Sequence, residues 1–391
     1  MTLALDGVRV VDLTQVMAGP FCTMLLGDLG ADVIKVEPPA GDLSRSMGGR
    51  RLQMKGKDNA PFIALNRNKR SVVLDLKAPA DCGRLSALLG DADVLVESFR
   101  PGVADRLGFG YAAVAAGHPR LVYASISGFG QTGPWAERPG FDLIAQGMSG
   151  VMSVTGTADG EPVKCGIPVS DLAAGLYAAN GIQAALLARE KTGRGQRVET
   201  SLFEAALGLS VWEATEYWAT GESPHPLGSA HRLSAPYQAF RAGDGFLTIA
   251  ALTTPHWEKL CRVIDRAELP LDPRYRSNAD RLVNRDSLVT EIERALSSHT
   301  VDEWVDRLLA EGIPCGPILD YAQVFDAPHT AARRMVEVVD HPVDGPVRTL
   351  GIPVKLGDTP GSVRRAPPLL GEHTAGILAA LDANTSPWGQ P

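Results

Sequence analysis

Asp171 is the residue whose type and position point most directly to chemistry. An Ala- and Leu-rich stretch, residues 171–189, predicts a helix that Asp171 opens. Aspartate is a preferred N-cap residue, so a plain structural cap would explain it. The helix dipole and neighbouring amides would also keep the carboxylate ionised, and an ionised carboxylate can attack an acyl carbonyl as a covalent nucleophile. The two interpretations are compatible, and the local sequence does not decide between them.

Two other motifs invite a catalytic or binding interpretation. Residues 128–133 match the spacing GxGxxG, but Pro134 and Pro139 interrupt the helix that should hold the pyrophosphate of a dinucleotide. A flexible loop on the substrate side is the better interpretation. Ser149 lacks the second glycine of the nucleophile-elbow motif GxSxG. No group of His, Cys, Asp and Glu residues has the spacing of metal ligands, so we predict no metal site.

The composition excludes several classes of protein. The chain has 391 residues, with 38 Lys and Arg against 45 Asp and Glu, and a net charge of −7. It therefore lacks the broad basic field of nucleic-acid-binding proteins, although a local pocket for a small anion remains possible. Five widely spaced cysteines without a CxxC pair argue against a disulfide framework and a structural zinc site. With no apolar run long enough to span a membrane and no signal-peptide pattern, we expect a cytoplasmic protein.

The elements that must position Asp171 begin with a run of alternating strands and helices over the first 130 residues. Short apolar runs predict strands, and the stretches between them predict helices at residues 19–29 and 80–89. The predicted strands cover residues 8–13, 32–36, 71–76, 94–97 and 121–125. Such alternation is typical of a parallel, doubly wound α/β sheet. Ligands of these sheets bind at the carboxyl ends of the strands, where the strand order reverses.

The remainder of the chain has a different pattern. A second helical stretch follows Gly193–Gly195 and covers residues 201–220, and the Pro/Gly/Ser-rich residues 221–236 predict a linker or loop. Residues 237–250 predict a hairpin that turns at Gly243–Gly245. Helices are predicted at residues 255–264, 285–297, 301–311 and 372–381. We expect a large domain at 1–200, a helical linker at 201–224, a small domain at 225–330 and a C-terminal segment at 331–391 that returns to the large domain.

Several segments, taken together, make the chain resemble the family III CoA-transferases. This family includes the formyl-CoA and carnitine CoA-transferases and also α-methylacyl-CoA racemase. The resemblance covers essentially the whole chain in order. It rests on LDGVRVVDLTQVMAGPFCTMLLGDLGADVIKVEPPAGD (5–42), NRNKRSVVLDLK (66–77), ADVLVESFRPGVADRLG (92–108), RPGFDLIAQGMSGVMSVTG (138–156), DLAAGLYAANGIQAALLAREKTGRGQRVETSL (171–202), GIPCGPI (312–318) and PPLLGEHT (367–374).

The resemblance implies a mechanism in which Asp171 is the nucleophile. An aspartate of the family attacks the donor acyl-CoA, and the resulting mixed anhydride becomes an aspartyl-CoA thioester, from which CoA passes to an acceptor carboxylate. Acyl-CoA is then a substrate, and no tightly bound cofactor is implied. The binding positions carried over from the family are Val16, Met17, Ala18, Leu74, Asp75, Leu76, Lys77, Ser98, Phe99, Arg100, Arg106 and Phe141. The basic ones among them are suited to the phosphates of CoA, although each alone could be a solvated surface charge.

Departures from the family pattern bear on the substrate and the reaction. Formyl-CoA transferase has Gln where this chain has Met17, and residues 221–236 are the nearest counterpart of its glycine-rich flap. Residues 228–240 look closer to transferases that use succinyl-CoA and dicarboxylic acceptors such as citramalate or hydroxymethylglutarate. Racemases of the family carry a proton-shuttling His where this chain has Phe141, and a Glu near Thr253. The resemblance therefore favours CoA transfer over racemisation.

The resemblance also implies an assembly. Family members form interlocked dimers in which each chain is a ring threaded by its partner, and such threading buries an interface of the obligate class. The fold that we predict is α/β, with a Rossmann-like large domain and a smaller α+β domain in an interlocked homodimer. The expected partners are small molecules, an acyl-CoA and a carboxylic acid, with no nucleic acid and no membrane. A non-catalytic CoA-binding protein, in which Asp171 only caps its helix, remains the alternative from another class.

Overall fold

A six-stranded parallel sheet is the central feature of the computed structural model, which describes residues 2–389. Its strands are β1 (Arg9–Asp12), β2 (Asp32–Glu37), β3 (Lys69–Val73), β4 (Val94–Glu97), β5 (Val122–Ser127) and β6 (Arg197–Ser201). They lie in the order β3-β2-β1-β4-β5-β6, so the order reverses beside β1. The α/β class and the parallel sheet predicted from the alternating runs are thus confirmed. Residues 1, 390 and 391, which the predicted terminal ranges include, lie outside the described residues.

Helices cover both faces of this sheet because its central strands are apolar and buried on both sides. One face packs against α1 and α7, and the other packs against α3 and the last helix of the chain. The helices up to residue 220 are α1 (Ala18–Asp28), α2 (Ala60–Leu65), α3 (Pro79–Gly90), α4 (Val103–Arg106), α5 (Tyr111–Gly117), α6 (Asp142–Met148), α7 (Val169–Thr192), α8 (Leu202–Leu209) and α9 (Val211–Thr220). Among the described residues, no helix combines the length and apolar composition needed to cross a bilayer.

The chain divides into two compact units. The first comprises the residues up to Met152, Lys164–Ser223 and the residues from Pro328 onward, and the second comprises Ser153–Val163 and Pro224–Ala327. The second unit contains β7 (Tyr237–Arg241), β8 (Phe246–Ala250), α10 (Thr254–Val263), α11 (Asn278–Val283), α12 (Arg285–Leu296), α13 (Val301–Ala310), β9 (Cys315–Pro317) and α14 (Tyr321–Asp326). Its three strands form an antiparallel sheet, and the hairpin turn predicted at Gly243–Gly245 is confirmed. Two tryptophans, Trp257 and Trp304, lie at the centre of its apolar core.

The residues from Pro328 onward are hydrogen-bonded to the sheet of the first unit. They form α15 (Pro328–Ala332), the hairpin strands β10 (Val336–His341) and β11 (Gly345–Leu350), and α16 (Thr374–Asp382). The N–H of Val73 at the end of β3 donates to Thr374 Oγ1 at 3.0 Å, and Arg70 donates to the carbonyl of Pro387 at 2.8 Å. These contacts tie the chain's last helix to the edge strand of the sheet.

The structure corrects three element boundaries that affect the candidate site. The predicted helix at 201–220 is two helices, because the chain leaves helical geometry at Ser210, a residue type that is weak in helix interiors. Strand β3 ends at Val73, so Leu74–Leu76 follow the strand rather than forming its end. Helix α7 begins at Val169 after Pro168, which places Asp171 third in its first turn. Asp171 is therefore not the N-cap that the sequence predicted.

Candidate active site

The loops that follow β1 and β4 meet at the place where the strand order reverses. The N–H of Leu13 donates to the carbonyl of Val96 at 2.8 Å. The N–H of Gln15 donates to Ser98 Oγ at 3.3 Å. These bonds bring two of the predicted binding segments together, Val16–Ala18 and Ser98–Arg100. A crevice at such a reversal is where parallel α/β sheets bind ligands.

The first of these loops has an unusual backbone. Val16 has a φ of +70°, and Met17 is the N-cap of α1 without a side-chain capping bond. The turn is so tight that a Cβ on Gly19 would lie 2.2 Å from the Cβ of Thr14, so a glycine is required there. The backbone at the start of α1 is therefore closely packed and has an uncommon conformation at Val16.

The other predicted binding residues are spread along the same edge of the sheet. Leu74–Lys77 follow β3, the edge strand, and β2 separates them from β1. Leu74 is buried in the core, so only its main chain can reach a ligand, and the side chain of Lys77 is exposed. Asp75 is committed locally, because its Oδ1 accepts from the N–H of Lys77 at 3.0 Å. Leu74 and Leu76 pack in the same apolar cluster as Leu13 after β1 and Phe99 after β4.

Arg100 lines a cavity of about 190 Å³ that adjoins the carboxyl ends of β4 and β5. The buried Glu97 also lines it, and burial raises the pKa of that carboxyl while Ser125 and the N–H of Phe99 hydrogen-bond to it. Arg106 ends α4 and is exposed. The two arginines are therefore accessible to an anionic ligand at this edge.

Asp171 lies one helical turn before the crossing of α7 with α1. A Cβ on Gly175, four residues after Asp171, would lie only 2.7 Å from the carbonyl oxygen of Ala18, so the two helices touch at this point. The residues at i and i+4 lie on one face of a helix. The proposed nucleophile and the Val16–Ala18 segment are thus on adjacent elements, and the contact depends on a glycine.

The ionisation of Asp171 differs from the expectation. Burial, and then the negative charge of Asp142, raise the pKa of its carboxyl to about 7. The expectation was a carboxylate kept ionised by the helix dipole and nearby amides, whereas a pKa of about 7 leaves it partly protonated at neutral pH. Burial is the larger cause, and Asp142 is held near the start of α7 because its Oδ1 accepts from the N–H of Ser170 at 2.9 Å.

Asp142 and Gln146 are the site residues that the sequence analysis missed. Gln146 Nε2 donates to Asp142 Oδ2 at 2.7 Å, and Gln146 Oε1 accepts from the N–H of Cys165 at 2.8 Å. Both are on α6, and Gln146 is buried. The i,i+4 spacing of Asp and Gln in residues 142–146 was the available signal, since such pairs face each other on a helix.

The positions that distinguish the racemases lie in two different places. Phe141, which is 68 % exposed, is the N-cap of α6 and immediately precedes Asp142. Thr253 caps α10 in the second unit, where its hydroxyl accepts from the N–H of His256.

The glycine motif at residues 128–133 has a packing role. A Cβ on Gly128 would lie 2.9 Å from the Cα of Gly140, the residue before Phe141. No helix follows this motif until Asp142, so the motif lacks the helix that a dinucleotide site needs.

Comparison with known proteins gives one consistent result. Residues 5–374 match the model of CoA-transferase family III. The acetyl-CoA:oxalate CoA-transferase of Acetobacter aceti is 42% identical over 93% of this chain and 92% of its own. The succinyl-CoA:mesaconate CoA-transferase of Haloarcula hispanica is 42% identical over 98% of this chain and 97% of its own. A crystal structure of a CAIB/BAIF family protein from Brucella suis superposes with a TM-score of 0.87, at 38% identity, over 98% of this chain and 100% of that chain.

Proposed function

This chain belongs to CoA-transferase family III and is an enzyme with CoA-transferase activity, and we propose that Asp171 is the nucleophile of the transfer. The observation that supports this role most strongly is the position of Asp171. It lies in the first turn of α7, half-buried, one turn from the contact between Gly175 and Ala18. No cation contributes to its raised pKa, so the carboxylate is not neutralised by an ion pair.

In the proposed reaction the first half releases the donor acid. A carboxylate oxygen of Asp171 attacks the thioester carbonyl of the acyl-CoA, the C–S bond breaks, and CoA leaves as a thiolate. The thiolate then attacks the Asp171 carbonyl of the mixed anhydride. This step forms an aspartyl-CoA thioester and releases the donor acid as its carboxylate.

The second half repeats these steps in reverse with the acceptor. The acceptor carboxylate attacks the aspartyl thioester and expels the thiolate, which then attacks the acceptor carbonyl of the new anhydride. The new acyl-CoA leaves, and Asp171 returns to its carboxylate form. No water, metal or redox partner enters this sequence, and CoA acts as a substrate rather than as a bound cofactor.

Asp142 and Gln146 have a supporting role in this proposal. The negative charge of Asp142 helps to raise the pKa of Asp171, and a more basic carboxylate is the stronger nucleophile once ionised. At a pKa of about 7, close to half of the Asp171 carboxyls are ionised at neutral pH. The hydrogen bonds from Ser170 and Gln146 keep Asp142 itself in place.

We assign CoA binding to the edge of the sheet where the strand order reverses. The main chain of Val16–Ala18 adjoins α7, because the carbonyl of Ala18 touches Gly175, and it is linked to Ser98 through the N–H of Gln15. Arg100, Arg106 and Lys77 supply exposed positive charge for the phosphates of CoA. Arginine is well suited to this task because its planar fork can bind a phosphate through two hydrogen bonds.

The substrates that we propose are succinyl-CoA as donor and a dicarboxylate as acceptor. Oxalate and mesaconate, named for the relatives from Acetobacter aceti and Haloarcula hispanica, are both dicarboxylates. Succinyl-CoA is the donor named for the second of these. Acetyl-CoA is the competing donor, because it is named for the relative from Acetobacter aceti, which is also 42% identical to this chain.

A homodimer is the assembly that we propose. Leu187 on α7 and Val211 and Trp218 on α9 are 66%, 64% and 77% exposed in the single chain, and exposed large apolar side chains can mark an interface. A partner chain covering these side chains would remove them from water. The interlocking of the two chains remains part of the proposal.

Turnover assays with a panel of donors and acceptors test the proposed function. Succinyl-CoA or acetyl-CoA is combined with oxalate, mesaconate, glutarate and acetate, and the new acyl-CoA is measured by chromatography. We expect transfer to at least one dicarboxylate and a loss of about 1000-fold or more in Asp171→Asn, with CoA affinity retained. Glu190→Gln, an exposed carboxylate of the same helix, is the matched control and should keep full activity. Near-full activity of Asp171→Asn would show that the nucleophile is another residue.

A further inference from the structure

A buried ion network lies beneath the loop that follows β1. Lys35 and Lys69 project from β2 and β3 into the interior and are buried, although lysine is rarely buried. Lys35 Nζ lies 2.8 Å from Asp42 Oδ2, and Lys69 Nζ lies 3.1 Å from Asp12 Oδ2. Burial of such charges is costly, and a buried ion pair is weak evidence for a stabilising role. The network therefore calls for an explanation other than stability.

The network contacts the main chain of the loop directly. Lys35 Nζ donates to the carbonyl of Thr14 at 2.7 Å, and the N–H of Val16 donates to Asp42 Oδ1 at 3.1 Å. The same Asp42 oxygen accepts from the N–H and the hydroxyl of Ser44, at 2.8 and 2.7 Å, so its position is fixed from the other side. The ion pair thus holds the loop on both sides of Gln15.

Val16 is the residue that this hold constrains. Its φ of +70° lies in the left-handed region, which a β-branched side chain disfavours strongly. Within residues 2–389, the other non-glycine residues with positive φ are Lys57, Asn68, Asp265, Arg334 and Asn384, none of which is β-branched. Such a conformation persists only where the surrounding structure imposes it.

We propose that Lys35 and Asp42 are positioning residues that hold Val16 in its left-handed conformation and so aim the main chain of Val16–Ala18 at CoA. The inference rests on the proposed function, because it assigns the loop to CoA binding. It goes further by making the shape of the loop depend on two buried residues, neither of which would touch the substrate. The strain at Val16 is then part of a preformed binding surface rather than an accident of packing.

The sheet offers a matched control pair. Arg70 on β3 and Asp32 on β2 form an ion pair of 2.6 Å, and their further contacts are to Pro387 and Gly389 in the C-terminal segment. This pair joins the same two strands as Lys35 and Lys69 but has no contact with the loop. Neutralising it should affect stability without affecting the loop.

The first test is a double-mutant cycle read by CoA affinity in calorimetry. Lys35→Met with Asp42→Asn removes both charges together and leaves no unpaired one. In a chain that keeps Val16, this double substitution should weaken CoA binding by about tenfold. It should also raise KM for the acyl-CoA more than it lowers kcat. In a Val16→Gly background, where the left-handed conformation carries no penalty, the same change should cost less than about threefold. Arg70→Met with Asp32→Asn should change the affinity by less than about twofold.

A second test can refute the proposal even if the variant Lys35→Met with Asp42→Asn does not fold. Alanine at position 16 would retain the unfavourable conformation, and glycine would relieve it, so Val16→Gly should melt at least about 1 °C above Val16→Ala. Melting below Val16→Ala would overturn the proposal. CoA affinity within twofold of the original chain after Lys35→Met with Asp42→Asn would also overturn it, while leaving the role of Asp171 intact. Failure of the unaltered chain to bind CoA would instead refute the proposed function itself.

Discussion

Two groups of buried carboxylates lie in the first unit, and they differ in the charges that face them. In the ion network beneath the β1 loop, Asp12 lies between Lys69 and Lys35, and despite burial these charges lower the pKa of Asp12. In the candidate active site, Asp171 faces Asp142, and burial and this charge raise the pKa of Asp171 to about 7. The first arrangement fixes a loop, whereas the second leaves a carboxyl poised near neutral pH. The same residue type thus serves structure or chemistry according to its neighbours.

The largest expected difference between the two carboxylate groups is the loss of protein stability when one acid of each group is replaced. Asp12→Asn removes the acid that balances Lys69 and should destabilise the protein by about 3–5 kcal/mol, because a buried charge loses its partner. Asp142→Asn relieves repulsion between two acids and should change the free energy of unfolding by about 1 kcal/mol or less. Urea unfolding of both variants at pH 7.5 measures the difference. Equal destabilisation by the two substitutions would break the distinction between the groups.

A smaller effect concerns the pH dependence of turnover. The nucleophile is the ionised form of Asp171, so kcat/KM should rise with pH and reach its midpoint at about 7. In Asp142→Asn the repulsion is gone but the burial, which is the larger cause, remains, so the midpoint should move to lower pH. The variant would then retain a larger share of its full activity at acidic pH than the unaltered chain does. An unchanged midpoint would show that Asp142 does not act on Asp171 through its charge.

The smallest expected effect concerns proton exchange at the α-carbon of a substrate, where we expect none. Phe141, beside Asp142, has no group that can carry a proton, and Thr253 is occupied as a helix cap. A 2-methylacyl-CoA incubated with the enzyme in deuterated water should therefore keep its α-proton in NMR. Exchange that depends on the enzyme and disappears in Asp171→Asn would restore racemisation as the function of the site.

The sequence predicts most of the strands and helices that carry these carboxylates, because such elements depend on local pattern. Apolar runs such as residues 94–97 predict the strands, and the Ala-rich stretch after Asp171 predicts α7 to within a few residues. Helix α7 ends at Gly193, which has a φ of +69°, and a glycine in this conformation is a common helix end that a sequence makes visible. These features depend on neighbours in the chain and need no knowledge of the tertiary structure.

The sequence does not predict which charges face each other. Lys35 lies in a strand that the sequence predicts, and Lys69 lies two residues before the predicted strand at 71–76. The burial of both depends on the order of the strands and on the segment that contains Asp42. Asp142 and Asp171 are on different helices, and a hydrogen bond from the N–H of Ser170 at the start of α7 holds Asp142 near Asp171. The raised pKa of Asp171 could not be predicted for this reason, since the helix dipole was visible in the sequence but the burial and the opposing acid were not.

Covalent trapping of Asp171 tests the central claim most directly. The enzyme is incubated with succinyl-CoA without an acceptor, treated with hydroxylamine and digested with trypsin, and the peptide of residues 165–189 is analysed by mass spectrometry. Asp171 is the only side-chain carboxylate in that peptide, so the assignment is unambiguous. The account predicts a hydroxamate on this peptide that requires succinyl-CoA and is absent in Asp171→Asn. Turnover with that donor without any label on residues 165–189, or with a label on another peptide, would contradict it.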